Sequence, residues 1–384
     1  MIDLSAFYKL LKTEGVDFVT GVPDTLLNDF CLGLDTHWPN NSHVIAANEG
    51  NAIAIAAGRH LATGTIPLVY MQNSGMGNAV NPLISLTNPT VYSIPMVLLI
   101  GWRGKPGSGD WPQHQRQGEL SPLLLDALEI PYQTLESNNS KCAEMASWAV
   151  RTARKNQKPT ALLVSKGVLA KKEKSGFEAS TQKYQLSREN AIRTIVQNAT
   201  HDAIFVASTG RITRELYAIR EDLGQSHDAD FLNVGAMGHS LSIATGLATA
   251  EPKRQVICLD GDGAAIMHLG SLPISSNLSL PNLIHVVLNN GVHESVGGQP
   301  TVGHMANLTA IAAASGYRSL DSFVESAEEL GQALRQMQNS HRPSFIEVRI
   351  QKGMRTTMPI LKIIPKDQKQ RIMNHLANAP KLDG

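Results

Sequence analysis

The chain has 384 residues, 42% apolar and 17% charged, with three cysteines and a formal net charge of +1. This length and composition fit two to three domains with large cores, and near-neutrality without a basic stripe argues against a nucleic-acid binder. No apolar run reaches membrane-span length, and Met1–Gly15 has neither the basic start nor the apolar run of a signal peptide, so a cytoplasmic protein without membrane contact is expected.

Residues 1–168 alternate strands and helices. The chain opens on an amphipathic stretch with Leu4, Tyr8 and Leu11 on one face. Asp17–Thr20 reads as a strand leading into Gly21-Val22-Pro23-Asp24, a glycine-proline turn that opens a helix. Val44–Ala47 is a short strand, followed by Asn48-Glu49-Gly50-Asn51 and an alanine-rich helix. Pro67–Met71 is a strand ending in Gln72-Asn73-Ser74-Gly75-Met76-Gly77-Asn78. This stretch is not a dinucleotide loop, because Val80 stands where the third glycine of GxGxxG would fall, and the Walker lysine is absent. A backbone that approaches a ligand closely is the better reading. Pro95–Ile100 is the next strand and runs into the polar stretch Gly101–Glu119. Ala161–Ser165 closes a parallel α/β sandwich with its loops at the strand C-termini.

Residues 169–186 are charged, lack apolar periodicity and read as a linker. A second α/β domain, residues 187–365, starts with Ser187 as a helix N-cap. Its strands include Ala203–Ala207, Val256–Leu259, Leu283–Leu288 and Ser344–Val348. Gly235-Ala236-Met237-Gly238-His239-Ser240 is another glycine turn into a helix, whose free N–H groups can hold anionic oxygens. Residues 366–384 read as a helical tail. No sequence repeat relates the two halves. Cys31, Cys142 and Cys258 are far apart, show no metal-ligand spacing and read as reduced core thiols.

The most informative stretch is Val256–Asn290. A buried strand ends in Asp260-Gly261-Asp262-Gly263, a turn whose tightness requires glycine. A helical segment follows, and a second buried strand ends in Asn289-Asn290. The right-handed crossover of such a βαβ unit brings both strand ends to one edge of a sheet. Asp262 and Asn290 can then face one spot although 28 positions separate them. A carboxylate and an amide oxygen are a hard-oxygen pair suited to Mg²⁺, with phosphate oxygens completing the octahedron.

Gly-Asp-Gly followed by Asn-Asn at this distance resembles the cofactor motif of thiamine diphosphate enzymes. The resemblance implies two thiamine diphosphate-binding α/β domains with mainly parallel sheets and no middle domain. It assigns the Mg²⁺ of the diphosphate to Asp262, Asn290 and the carbonyl of Val292. It makes Glu49, otherwise an ordinary helix-start carboxylate, the catalytic residue that bonds N1′ of the aminopyrimidine. The cofactor's own N4′ then serves as base for the C2 proton. Met237 takes the place of the apolar residue that props the cofactor. The expected cofactor contacts are completed by Gly21, Pro23, Ser74, Met76, Asn78, Gly235, Gly238, His239, Gly261, Gly263 and the N–H of Ala264.

The compact order of domain, linker and domain resembles the phosphonopyruvate and sulfopyruvate decarboxylases of that family. So do Pro112-Gln113-His114 with Gly118, the segment His293–Thr301, and Thr356-Thr357 after Arg355. The departures are Glu294 in place of the usual Asp, Gly109-Asp110-Trp111 where an acidic pair is usual, and a segment around Arg355 that looks shortened. The resemblance implies non-oxidative decarboxylation of 3-phosphonopyruvate to phosphonoacetaldehyde and CO₂ in phosphonate biosynthesis. It makes His114 a proton donor or anion ligand. The expected substrate contacts are Asp24, Arg116, Gln299 and Arg355, with Arg103 and Lys105 as further cationic candidates. Sulfopyruvate decarboxylation, acyloin synthesis and a non-catalytic cofactor-binding subunit stay open as alternatives. A homo-oligomer, at least a dimer with shared active sites, is implied.

Overall fold

The short apolar runs become parallel strands in the computed structural model, which describes residues 2–39, 41–169, 183–338, 340–353, 355 and 364–378. The chain divides into two units, one of residues 1–177 with Val296–Gln299, the other of residues 178–295 with 300–384.

The first unit holds β1 (Val19–Gly21), β2 (His43–Ile45), β3 (Leu68–Gln72), β4 (Val97–Gly101), β5 (Tyr132–Thr134) and β6 (Thr160–Val164). Their order in the sheet is β2-β1-β3-β4-β6-β5, with every pairing parallel. The central strands β3, β4 and β6 are mostly apolar because helices cover both faces. Leu68, Tyr70, Val97 and Leu99 pack on one side with Tyr8, Leu11 and Phe30. Val69, Met71, Leu98 and Ile100 pack on the other with Ile53, Ala56 and Leu125.

The second unit holds β7 (Ile204–Ala207), β8 (Asp230–Leu232), β9 (Val256–Gly261) and β10 (Leu283–Asn289). After the short strands β11 (Val292–His293) and β12 (Gln299–Pro300) come β13 (Arg318–Ser319) and β14 (Ser344–Arg349). The second sheet runs β8-β7-β9-β10-β14-β13, again parallel. Counted along each unit, the two sheets have the same strand order, a repeat that the sequence does not display. In both, the order reverses at the first strand, and ligands of such sheets bind beyond the strand carboxyl ends at that reversal. The loops after β1 and β3, and after β7 and β9, begin there.

The expected domains are two such α/β units without a middle domain. The strands missing from the sequence reading, β5, β8 and β13, are edge strands of two or three residues. Runs that short carry too little periodicity to read. The polar stretch Gly101–Glu119 is not all loop: Pro112 opens the helix Pro112–Ala127 from its first turn, where a missing N–H costs nothing. Much of the charged segment 169–186 lies outside the described residues, but Tyr184 and Leu186 at its end are buried. In the expected tail, the helix Pro365–Asn378 sets Ile372 into the second unit's core. Thr356 and Thr357 lie outside the described residues. All three cysteines are free and buried. Among the described residues no helix is long and apolar enough to cross a membrane.

Candidate active site

In the first unit the chemistry sits on the turns that leave β1, β2, β3 and β4. Glu49 is the first residue of the helix Glu49–Thr63, set by Asn48, whose side chain caps the N–H of Asn51. The Glu49 side chain is buried. Its Oε2 accepts a 2.8 Å hydrogen bond from Nδ2 of Asn78. Its Oε1 faces Gly75 so closely that a Cβ there would stand 2.0 Å away. That approach gives the glycine-rich turn after β3 a physical purpose. Asn73–Gly75 forms a tight turn, then Met76, also buried, opens the helix Met76–Pro82. Ser74 accepts from Nε2 of Gln72 at 2.6 Å. Gly21 lies on β1 rather than in a loop, and a Cβ there would stand 2.1 Å from the carbonyl oxygen of Tyr70 on β3.

Asp24, two residues past Val22, is almost wholly buried beneath Gly101, where a Cβ would lie 2.0 Å from its Oδ2. Burial pushes its carboxyl up to about 6, against the pull of Arg103 and of nearby backbone N–H groups. Arg103 itself is clamped by Asp110 through two hydrogen bonds of 2.7 Å. That guanidinium holds the Asp110 carboxyl well below the usual carboxylate range. Asn73 fixes the Arg103 backbone, donating to its carbonyl at 2.8 Å and accepting from its N–H at 3.2 Å. His114 stands in the first turn of the helix Pro112–Ala127. Burial, then the nearby Arg103 charge, lower its pKa, so its imidazole is neutral at pH 7. Glycines at 104 and 118 let the two segments lie against each other; a Cβ on Gly118 would stand 1.7 Å from the Gly104 oxygen.

The other cationic candidates are dispersed. Lys105 lies over the Trp102 ring at 5.2 Å. Arg116 is exposed and pairs with Glu119 at 2.8 Å. Arg355 pairs with Asp222 at 2.8 Å on the second unit. An exposed ion pair such as that of Arg116 is worth about 0–1 kcal/mol, so Arg116 can exchange its carboxylate for a ligand at little cost, whereas Arg355 is half-buried and holds Asp222 through two hydrogen bonds. Gln299 belongs with the first unit, where its Nε2 donates to Oδ1 of Asn28 at 3.2 Å.

In the second unit β9 and β10 are adjacent, with Gly261 opposite Leu288. Asp262 begins the helix Asp262–Met267 and is buried. Burial pushes its carboxyl up to about 6, although the Thr301 hydroxyl donates to its Oδ2. Gly303 lies against this carboxylate, and a Cβ there would meet Oδ2 of Asp262 and Oδ1 of Asn289. Asn289 is wholly occupied: its amide donates to the Gly303 carbonyl and to Oε1 of Glu347, both at 2.8 Å, and its oxygen accepts from Gly291. Asn290 is differently placed. Its Nδ2 donates to Oε2 of Glu294 at 3.2 Å, and its Oδ1 accepts from the N–H of Val292 at 3.2 Å. Glu294 in turn accepts from Arg188, which also bonds Glu215. This buried network fixes which way the Asn290 amide points.

The Gly235–Ser240 turn is shaped by Asn233. Its oxygen accepts from the N–H groups of Gly235 and Ala236 at 3.2 and 3.0 Å, and its Nδ2 donates to the Ala236 carbonyl at 2.7 Å. Met237 is half-buried. Gly238 has φ +79°, and a Cβ there would press on the His268 ring. His239 makes no side-chain cap for the helix Ser240–Ala250, and the buried Ser240 hydroxyl has no hydrogen-bond partner. Ala264 is buried, and Gly263 lies against the His293 ring.

Asn73, Asn233, Asn289, Thr301, Gly303 and Glu294 were given no role by the sequence reading. Thr301 and Glu294 lay inside the quoted His293–Thr301 segment, which was the available signal. Thiamine diphosphate and Mg²⁺ fit these residues. The Asp262 carboxylate and Asn290 amide are hard-oxygen donors, the uncapped helix start at Ser240 suits diphosphate, and Glu49 is a buried carboxylate with its back against a glycine.

Profiles for the N-terminal and C-terminal TPP binding domains of thiamine pyrophosphate enzymes match residues 4–130 and 209–348. Fold, site and profiles together define the class as a thiamine pyrophosphate enzyme. Phosphonopyruvate decarboxylase of Streptomyces viridochromogenes is 33% identical over 95% of this chain and 93% of its own. Sulfopyruvate decarboxylase of Methanosarcina acetivorans is 28% identical over 96% of each. The alpha subunit of sulfopyruvate decarboxylase from Methanothermobacter thermautotrophicus is 33% identical over 39% of this chain and 89% of its own. The chain belongs to the thiamine diphosphate-dependent decarboxylases, in the branch that holds phosphonopyruvate decarboxylase.

The contact between Gly75 and Glu49 gives a first expected outcome. Gly75→Ala pushes the carboxylate aside and should lower turnover as far as Glu49→Gln does, on the order of 10²-fold or more, the range of acid–base contributions. Steady-state kinetics beside melting curves check this; wild-type turnover in Gly75→Ala would show that the carboxylate's position is unimportant.

Asp24 gives a second. Its folded pKa, about 6, lies above the ordinary 3.8, so the folded chain holds this proton more tightly than the unfolded one. The resulting stability is present below about pH 4 and is lost as pH rises through 6. Asp24→Asn should therefore stabilise the cofactor-free protein at pH 8, by at most about 3 kcal/mol for two pKa units, with the gain fading towards pH 4. Urea melts at both pH values test this, and a gain that ignores pH would refute it.

Proposed function

We propose that this decarboxylase acts on 3-phosphonopyruvate, releasing CO₂ and phosphonoacetaldehyde, as a step of phosphonate biosynthesis in the cytoplasm. The supporting observation is the likeness to phosphonopyruvate decarboxylase, which runs through both domains and exceeds that to the sulfopyruvate enzyme. The existence of separate subunits in sulfopyruvate decarboxylase is consistent with a further part of the proposal: a homo-oligomer, at least a dimer, with shared active sites.

In this reading Mg²⁺ is held by Asp262, Asn290 and the Val292 carbonyl, with the Glu294–Arg188 network keeping the Asn290 oxygen in place. The N–H groups at Ser240 and Ala264 receive the diphosphate, while Gly235, Gly238, His239, Gly261 and Gly263 let the backbone come close. Met237 supports the bound molecule from below. Glu49, oriented by Asn78, holds a proton at the pyrimidine nitrogen. Thiamine diphosphate, when bound, supplies the nucleophilic carbon and the electron sink that decarboxylation of a 2-oxo acid needs. The C1–C2 bond of the substrate breaks, CO₂ leaves, and a proton takes its place. His114 is assigned as proton donor at that carbon, through its imidazolium form, or as ligand of the substrate's anion. Asp24, its carboxyl pushed up to about 6 by burial, lies in the same loop cluster and orients the acid. Gln299 provides a further amide.

The phosphonate is assigned to cationic side chains among Arg103, Lys105, Arg116 and Arg355. Near neutral pH it carries between one and two charges, as phosphate esters do. Two charge-assisted hydrogen bonds absent from pyruvate would separate the two substrates by about 3–6 kcal/mol. A second reading, sulfopyruvate, is kept because that decarboxylase aligns over as much of the chain.

The expected order of kcat/KM is phosphonopyruvate, then sulfopyruvate, then pyruvate, with Arg116→Ala and Arg355→Ala narrowing the gap to pyruvate. CO₂ release from each acid measures it. Equal values for phosphonopyruvate and pyruvate would end the anion-reading proposal, and a clear preference for sulfopyruvate would transfer the enzyme to the second reading.

A further inference from the structure

The second sheet carries a cluster of chemistry-bearing side chains that the proposed mechanism does not use as ligands. Cys258 and Asp260 are two apart on β9 and therefore share a face of the sheet. His285 lies on β10 directly opposite Cys258 in the parallel register. All three side chains are buried, and one donor atom from each lies within 4.8 Å of the others. His285 is 2% exposed, yet neither ring nitrogen has a hydrogen-bond partner. Its Nε2 stands 3.6 Å from Oδ2 of Asp260, beyond hydrogen-bond distance. Buried polar groups are normally satisfied, and an exception calls for an explanation such as an ion. Beside the cluster lies a cavity of about 10 Å³, lined by Asp260, His285, Gly238, Leu241, Leu272 and Phe345, at the threshold for one water.

We propose that Cys258, Asp260 and His285 form a zinc site within the second sheet, with a water from the adjoining cavity as fourth ligand. The donors are one sulfur, one imidazole nitrogen and one carboxylate oxygen, the set that borderline ions such as Zn²⁺ take. Bonds of about 2.0–2.3 Å in a tetrahedron place donor atoms roughly 3.3–3.8 Å apart. The imidazole–carboxylate spacing already lies in that range, and small side-chain rotations bring in the sulfur. Metal binding displaces the thiol proton to solvent, because a coordinating thiol is deprotonated outright. The donor chemistry separates this site from the oxygen donors of Asp262 and Asn290, which suit Mg²⁺. Asp260 also accepts from the N–H of Gly261 through its Oδ1 at 3.1 Å. An ion on Oδ2 therefore braces the end of β9 from which Asp262 departs.

The test uses the full chain produced in zinc-supplemented medium, desalted against excess Mg²⁺ and assayed for metal, then the same with cobalt. One zinc per chain is expected, and the cobalt form should show the near-ultraviolet thiolate band and the visible bands of tetrahedral cobalt. Cys258→Ala should abolish the thiolate band, and His285→Ala should lower zinc content at least tenfold. Circular dichroism of each variant checks folding, and the wild-type cobalt spectrum reports on the site if one fails to fold. Asp262→Ala should retain the zinc. A zinc-free wild type overturns the proposal, as does zinc content or a thiolate band that survives both Cys258→Ala and His285→Ala.

Discussion

A carboxylate taken out of water is costly unless something compensates it, and this chain buries several at the carboxyl ends of parallel strands or just beyond, among them Asp24, Glu49 and Asp262. Neither Asp24 nor Asp262 is fully compensated, for burial carries both well above an ordinary Asp. The two sheets make this tolerable. Each is packed on both faces by apolar side chains, so the strand ends are rigid and the loops that leave them inherit fixed directions. Natural sites commonly sacrifice stability for function in this way. The glycines belong to the same constraint. Gly75 against Glu49, Gly101 against Asp24 and Gly303 against Asp262 each leave space that a methyl group would fill with a clash.

The common strand order gives the two units equivalent edges without making them chemically alike. In the first, the loops carry two buried carboxylates, Asp24 and Glu49, with amide and imidazole side chains nearby. In the second, they present a carboxylate, an amide and an uncapped helix start. In the proposed reading, one set receives an aromatic base and an anionic substrate, and the other a metal-bound diphosphate. Sulfopyruvate decarboxylase of Methanothermobacter thermautotrophicus has separate alpha and beta subunits among the relatives, whereas that of Methanosarcina acetivorans aligns with this chain over nearly its whole length.

Much of this was legible in the sequence. The central strands were readable because continuous Val, Ile and Leu runs mark sheets covered on both sides. Glu49, Asp262 and Asn290 stand out as candidates because each closes or follows such a run at a distinctive turn. The edge strands β5, β8 and β13 were not, since runs of two or three residues have no period to detect. The supporting shell was equally hidden. Asn233 shapes the turn before Met237, and Thr301 and Gly303 close over Asp262 from about 40 residues away. Such contacts are made by the fold and leave no local spacing. The same holds for Cys258 and His285, which only the strand register sets side by side. The Gly101–Glu119 stretch misled because its polar composition masks a helix that starts at Pro112.

The central claim is that Asp262 anchors the Mg²⁺ of the bound diphosphate. The most direct measurement is the melting temperature of wild type and Asp262→Ala as thiamine diphosphate is titrated in with Mg²⁺ present. A ligand that binds only the folded chain raises the melting temperature with its concentration. The account predicts a rising curve for the wild type and a flat one for Asp262→Ala, even though relief of the buried carboxylate should raise the variant's starting point. Equal rises in both proteins would contradict it.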